Sequence, residues 1–326
     1  MLACLLAVLP GCERRPVLVE GMTVRLDVTA DYGSDDMPEL LRAVFYSKDT
    51  RRMVLSDFVS PLGGRIHLPA GEYLYLVYNF DLESTILDNV DSYDNVWAHT
   101  SQAPSSISWL FNRLVESALT KEEMIHTRAE GSDDDAGAVV IYEPDALYVA
   151  MGEISVPHRS EQDDELVIPV YEKDVLKHGR ITVRGLTGIE NLSSVTVYIT
   201  NLSGALYPTK DSLSVEPVVM SMVCEYDGTS DVMVGEFLTF GCLPLDYYTR
   251  YDYAITAYIL LTDRAGGQYL MTQDLTSQII ESVVATDTLD AEAVYEFEVP
   301  EPGQGGGGFS PTLDDWVNEI IPIPLG

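Results

Sequence analysis

Apolar and polar residues alternate with a period of two over residues 22–30, where Val24, Leu26 and Val28 fall on one face and Arg25, Asp27 and Thr29 on the other. That alternation predicts a strand with one buried and one wet face. Residues 73–80 (Tyr-Leu-Tyr-Leu-Val-Tyr-Asn-Phe) are apolar on both faces, as expected of a strand central to a sandwich. Further runs rich in Val, Ile, Tyr and Thr occupy 138–142, 146–156, 165–171, 180–184, 194–201, 253–262, 268–272 and 294–299, and turn residues separate most of them. Strands do not alternate regularly with helices, so a parallel doubly wound sheet is not expected. One segment follows another rule. Ile107, Leu110, Phe111, Leu114, Val115 and Ala118 recur at helical spacing and predict one amphipathic helix within 105–119. Its stripe is expected to pack onto the protein's own sandwich rather than onto a partner.

The pattern divides the chain. A polar stretch, His158-Arg159-Ser160-Glu161-Gln162-Asp163-Asp164, places a boundary after residue 157. The expected units are residues 12–157 and 158–302, followed by a glycine linker and tail over 303–326. Each half opens with a similar short strand, Met22-Thr23-Val24-Arg25 and Ile181-Thr182-Val183-Arg184, which suggests two related sandwiches.

The first eleven residues carry a different message. Residues 2–9 are apolar, and Leu9-Pro10-Gly11 puts a small residue just before Cys12. That reads as a bacterial lipoprotein signal, with cleavage after Gly11 and acyl chains (palmitate among them) on Cys12. Eleven residues without a Lys or Arg are short for such a signal, so the start codon is expected to lie upstream. The expected location is the outer membrane, lipid-anchored, at the cell surface. The formal charge of −33 repels phosphates, which excludes nucleic acid as a partner.

Two cysteines remain once Cys4 and Cys12 are set aside. Residues 218–226 and 234–242 read as a hairpin around a polar turn, with Cys224 facing a residue near Val234. Cys242 then lies on the order of 26 Å further along the ladder at ~3.3 Å per residue. A disulfide reaches ~7 Å between Cα atoms, so both thiols are expected free, as small buried apolar residues.

No catalytic signature is present. The chain has no Gly-x-Ser-x-Gly elbow, its glycines at 305–308 precede no Lys-Ser/Thr, and its five histidines stand alone. Among 52 acidic residues, spacing does not separate a glycosidase pair from chance proximity. No enzyme, cofactor or metal is expected. Tyr247, Tyr248, Tyr251, Tyr253 and Tyr258 form either a sugar-stacking platform or ordinary strand residues.

Several motifs resemble one family. His67-Leu68-Pro69-Ala70-Gly71-Glu72-Tyr73 running into Leu76-Val77-Tyr78-Asn79 is similar to a turn and central strand of the Bacteroidota type V fimbrial anchor and accessory lipoproteins (minor-fimbrium anchor, fimbrillin-associated). Pro144-Asp145-Ala146-Leu147-Tyr148, Gly185-Leu186 with Leu202-Ser203-Gly204-Ala205, and Asp274-Leu275-Thr276 resemble later parts of it, and the ending with Asp314-Asp315-Trp316 resembles a subgroup. Tyr32 stands where many relatives carry Trp. The resemblance implies an all-β fold of two tandem transthyretin-like, Greek-key β-sandwiches with one short helical insertion. It also implies an anchor or accessory subunit of fimbriae, with fimbrial subunits as partners and strand addition as the means of assembly. The competing function is a glycan-binding surface lipoprotein of a nutrient-uptake complex, with host or bacterial surface glycans as partners.

In such a system a C-terminal strand completes a neighbour's sandwich. Here Ile321, Ile323 and Leu325 share one face of an extended tail, Pro322 and Pro324 remove the N–H groups of one edge, and Trp316 supplies an anchor. Such a strand pairs along one edge only. It either docks on another subunit or folds back onto its own second domain.

Overall fold

The computed structural model describes residues 21–30, 32, 37–118, 138–158, 165–226, 228, 232–251, 253–301 and 320–322. The first half runs through β1 (Gly21–Thr29), β2 (Leu41–Ser47), β3 (Met53–Val59), β4 (Gly63–Pro69), β5 (Gly71–Asn79), β6 (Thr85–Asp88), β7 (Trp97–Thr100), α1 (Ser105–Ala118), β8 (Val140–Ile141), β9 (Tyr148–Val156), β10 (Leu166–Tyr171) and β11 (Lys173–Asp174). The second half continues with β12 (Lys177–Thr187), β13 (Leu192–Ser203), β14 (Ala205–Tyr207), β15 (Ser212–Leu213), β16 (Pro217–Tyr226), β17 (Val232–Thr239), α2 (Leu245–Arg250), β18 (Thr256–Asp263), β19 (Gln268–Asp274), α3 (Thr276–Thr286), β20 (Leu289–Glu298) and β21 (Ile320–Pro322).

The architecture is two tandem β-sandwiches, as expected. In the first, a three-stranded sheet β10-β1-β4 faces a five-stranded sheet β11-β9-β5-β2-β3. The alternation of β1 points Val24, Leu26 and Val28 into the core between them, where Phe45, Tyr75 and Val77 meet them. In the second, one continuous sheet runs β20-β12-β17-β16-β13-β18-β19-β21. Both of its ends contribute to a single core, Val183 and Ala293 from one and Val197 and Ile259 from the other. The sheet therefore folds over on itself at β16 and β17, which pair only through Glu225–Val234 and Tyr226–Met233.

The strands that read as apolar on both faces do bury both. In β5, Tyr73, Tyr75 and Val77 face the sandwich core, whereas Leu74, Leu76 and Tyr78 face a second cluster behind the sheet. That second cluster is closed by a four-stranded sheet, β15-β14-β7-β6, which takes two strands from each half. Leu206 and Phe240 of the second half sit in it beside Val44 and Tyr46 of the first. The halves are thus joined by a shared core as well as by the chain.

The helix expected at 105–119 is present as α1. It lies within the first half of the sequence but packs on the second sandwich. Phe111 is buried against Tyr198 at a ring distance of 5.2 Å and edge-on to Tyr258 at 5.5 Å. Its neighbour β8 joins the same sandwich, parallel to β16. Beyond the expected helical insertion, the fold adds α2 and α3, whose Ile279 is fully buried.

The polar stretch 158–164 falls between β9 and β10, and both strands belong to the first sandwich, β10 pairing in parallel with β1 from Val24–Leu166 to Thr29–Tyr171. The chain passes from one sandwich to the next between β11 and β12, where Leu176 is buried in the shared core.

Candidate functional site

The sites expected from the sequence separate into those the structure places and those it does not. Leu9, Pro10, Gly11 and Cys12 lie outside the described residues, as do Trp316, Ile323 and Leu325 of the tail. Ile321 is placed. It belongs to β21, which adds antiparallel to β19 with Tyr269 opposite Pro322, Leu270 opposite Ile321 and Met271 opposite Ile320. β21 is the outermost strand of its sheet, a position where a residue lacking an N–H is tolerated. Its segment lies on the chain's own second sandwich, the fold-back alternative for the tail.

The strand it covers shows why cover is needed. Leu270 and Met271 are fully buried, on opposite faces of β19, and β21 pairs along the outer backbone edge of that strand. An uncovered edge with apolar faces is a template for pairing with another chain. The first sandwich has the same place filled differently: β11 pairs there with β9, Lys173 opposite Val149 and Asp174 opposite Tyr148. Its opposite edge is β3, at the end of the sheet order, which exposes Met53, Val54 and Phe58. Phe58 meets Phe80 edge-on at 4.9 Å, and Arg42 lies over Phe80.

The hairpin expected around residue 228 has the expected register, with Glu225 opposite Val234. Cys224 and Cys242 are buried free thiols. Burial pushes Cys224 up to about 12 and Cys242 up to about 11, the latter with a slight opposing pull from the Tyr248 hydroxyl. Neither supplies a thiolate near neutral pH.

The tyrosine row divides. Tyr248 and Tyr258 are core residues; the Tyr248 hydroxyl donates to the Asn201 carbonyl at 2.8 Å and accepts from the Leu243 amide at 3.0 Å. Tyr247, Tyr251 and Tyr253 do form a surface group, with ring centroids 5.0 and 5.9 Å apart and the Arg250 guanidinium over Tyr251. The rings are tilted by 49° and 32°, and Tyr247 and Tyr253 lean on the core, so they offer no flat platform.

One titratable group stands out that sequence patterning did not find. Glu172, between β10 and β11, is buried, and desolvation pushes its carboxyl up to about 7. The Tyr32 hydroxyl donates to its Oε2, which opposes the shift weakly, and its Oε1 has no partner. Tyr32 in turn packs edge-on to Tyr148 at 4.9 Å. Only its position directly after an alternating strand hinted that Glu172 would turn inward. Glu143 is also raised by burial, although it accepts the Leu238 amide at 2.7 Å. Among the described residues no group of three or more His, Cys, Asp or Glu could hold a metal ion. Nor is any helix among them long and apolar enough to cross a membrane.

Comparison with known proteins sets these features in context. The family described as "Domain of unknown function (DUF5119)" matches residues 11–222, well over half of the chain. A protein of Bacteroides ovatus named "Putative fimbrium anchoring subunit Fim4B" is 34% identical over 99 residues, which span 29% of this chain and 29% of that protein. The crystal structure of "a putative adhesin" from Bacteroides ovatus ATCC 8483 superposes with a TM-score of 0.58 at 21% identity, over 91% of this chain and 100% of the other. That superposition shows a shared fold across nearly the whole of both chains.

Proposed function

The chain belongs to the DUF5119 family, and from that premise we propose that it is a non-enzymatic anchor or accessory subunit of fimbriae. It is held at the outer membrane by lipid on Cys12 and meets other fimbrial subunits by strand addition. The observation that carries this reading is the pairing of β21 along β19: the tail adds as an edge strand, here to the chain's own second sandwich, and in the proposal it adds in the same way to a neighbouring subunit. The relative named as a fimbrium anchoring subunit supports the assignment to fimbriae. Two sandwiches joined by a shared core suit a protein that must transmit force from a filament to a membrane.

Two variants test the two halves of the proposal. Cys12→Ser should release the protein from the membrane fraction, and retention after a carbonate wash would sink the lipid anchor. Deletion of residues 309–326 should leave the protein folded and membrane-bound yet abolish its co-purification with fimbrial subunits. Capture at wild-type levels would rule out strand addition through this tail.

A further inference from the structure

The sheet shared by the two sandwiches has two unlike faces, and the outer one is built like a ligand site. Strand alternation sends Leu87, Ala98, Leu206 and Leu213 inward to the shared core. The same alternation sends Trp97 and His99 outward. Because Ala205 lies opposite His99 and Leu206 opposite Ala98, the next step of the ladder sets Tyr207 beside Trp97. Three rings therefore line up across two strands that are more than a hundred residues apart in sequence. The Trp97 and His99 rings are 4.2 Å apart and 21° from parallel; Trp97 and Tyr207 are 6.4 Å apart and 20° from parallel.

A cavity of about 490 Å³ opens over this wall, within the ~300–1,000 Å³ usual for small-ligand sites. Trp97 and Tyr207 form one side. Arg52, Asn89, Asp91, Asn95, Lys210 and Glu216 contribute to the rest. Their charges balance. The Arg52 guanidinium lies 3.4 Å from Asp91, and the Lys210 ammonium sits over the Tyr207 ring. His99, behind Trp97, is held by Asp88 at 3.1 Å and so keeps the stack in place. The cavity draws its walls from both sandwiches, the loop before β7 from one and the β14–β15 region from the other.

We propose that this cavity binds a neutral glycan, seating one or two pyranose rings. A pyranose has a face of C–H bonds and an edge of hydroxyl groups. The C–H face suits the electron-rich face of Trp97, and the hydroxyl edge suits the mixed donors and acceptors of Asn, Asp and Arg side chains. The competing ligand classes fit less well. A phosphate or sulfate would meet Asp91 and Glu216 within the walls and a net charge of −33 around them. A purely apolar ligand would leave the charged and amide groups of the wall unpaired. This site is independent of the tail and of fimbrial assembly, and it is distinct from the tyrosine row at 247–253.

The test is a glycan array of neutral and N-acetylated oligosaccharides, with sulfated ones included, probed with the full chain. Titration of the best hit would be followed by calorimetry. Binding to neutral glycans is expected, weakened at least tenfold in Trp97→Ala and less in Trp97→Phe. Tyr251→Ala should bind as the wild type does. The unfolding midpoint of each variant, measured alongside, separates loss of the ring contact from loss of the fold: binding lost in a Trp97→Ala protein that unfolds at the wild-type midpoint supports the assignment. Absence of binding to every neutral glycan, binding to sulfated glycans alone, or loss in Tyr251→Ala with Trp97→Ala unaffected would each overturn the assignment.

Discussion

The two sandwiches share a strand order and differ in several of the connections between strands. In the first, β1 lies between β10, parallel to it, and β4, antiparallel; in the second, β12 lies between β20, parallel, and β17, antiparallel. The facing layers correspond too, β9-β5-β2-β3 in one and β19-β18-β13-β16 in the other. Yet β5 and β9 are separated by an insertion that holds β6, β7, α1 and β8, whereas β18 passes to β19 through a tight turn in which Asp263 accepts the Ala265 and Gly267 amides. The second sandwich places its helix α3 elsewhere, before β20. The contrast teaches that one layer arrangement tolerates unlike connections, and that the connections carry what is particular to this protein. The insertion of the first sandwich covers the second and builds half of the aromatic cavity.

The same contrast appears at the edges. The β9 edge is covered by β11, which follows β10 directly, while the β19 edge is covered by β21, which arrives from the far end of the chain. A local cap cannot leave without breaking its own sandwich. A remote cap is held by fewer neighbours in sequence, and the strand addition proposed above is therefore assigned to the second sandwich.

The largest test of this comparison concerns ownership of α1. Truncating Phe111 to Ala should cost about 3–5 kcal/mol, because its ring is buried between Tyr198 and Tyr258. Hydrogen exchange should locate the loss in β13 and β18 of the second sandwich. Protection lost in β2 and β5 instead would mean that the helix stabilises the half it belongs to by sequence.

A somewhat smaller effect should distinguish the first sandwich by pH. Glu172 has a folded value raised from 4.5 to about 7, so the folded state binds its proton more tightly than the unfolded chain does. Its stabilising contribution is complete below pH 4.5, falls as pH rises toward 7, and is gone above that, a change of about 3 kcal/mol by linkage. Urea unfolding at pH 5 and pH 8 should show this decline, and Glu172→Gln should flatten it. An unchanged slope in the variant would assign the pH dependence to other groups.

The smallest expected effect is that of the tail. Three paired residues with one proline contribute on the order of 1 kcal/mol, so deleting residues 309–326 should barely move the unfolding midpoint. It should nevertheless speed amide exchange at Leu270, whose N–H points to the β21 edge, and leave Tyr269 and Met271, whose N–H groups point to β18, protected. Deletion of β11 should be the costlier of the two, and equal costs would erase the distinction between a local and an exchangeable cap.

What the sequence determined by itself was local. Alternation in residues 22–30 specified β1 and its inward residues, because side-chain direction in a strand follows from covalent geometry. The two-sided apolarity of residues 73–80 announced that β5 would be covered on both faces, and helical spacing announced α1. Local pattern was silent where it was ambiguous, and residues 276–286 drew no assignment. α3 is built from Thr, Ile and Val, which favour strands, and it forms because Ile279 finds a buried place beneath it. Tertiary structure alone decided what each apolar face would meet. Nothing in the stripe of α1 specified Tyr198 and Tyr258 as its contacts, nothing in residues 158–164 said that the strands on either side belong to one sandwich, and nothing near Trp97 foretold Tyr207. Periodicity reports that a face must be buried; the partner is chosen by long-range pairing, where the free energy of many distant contacts is decided at once.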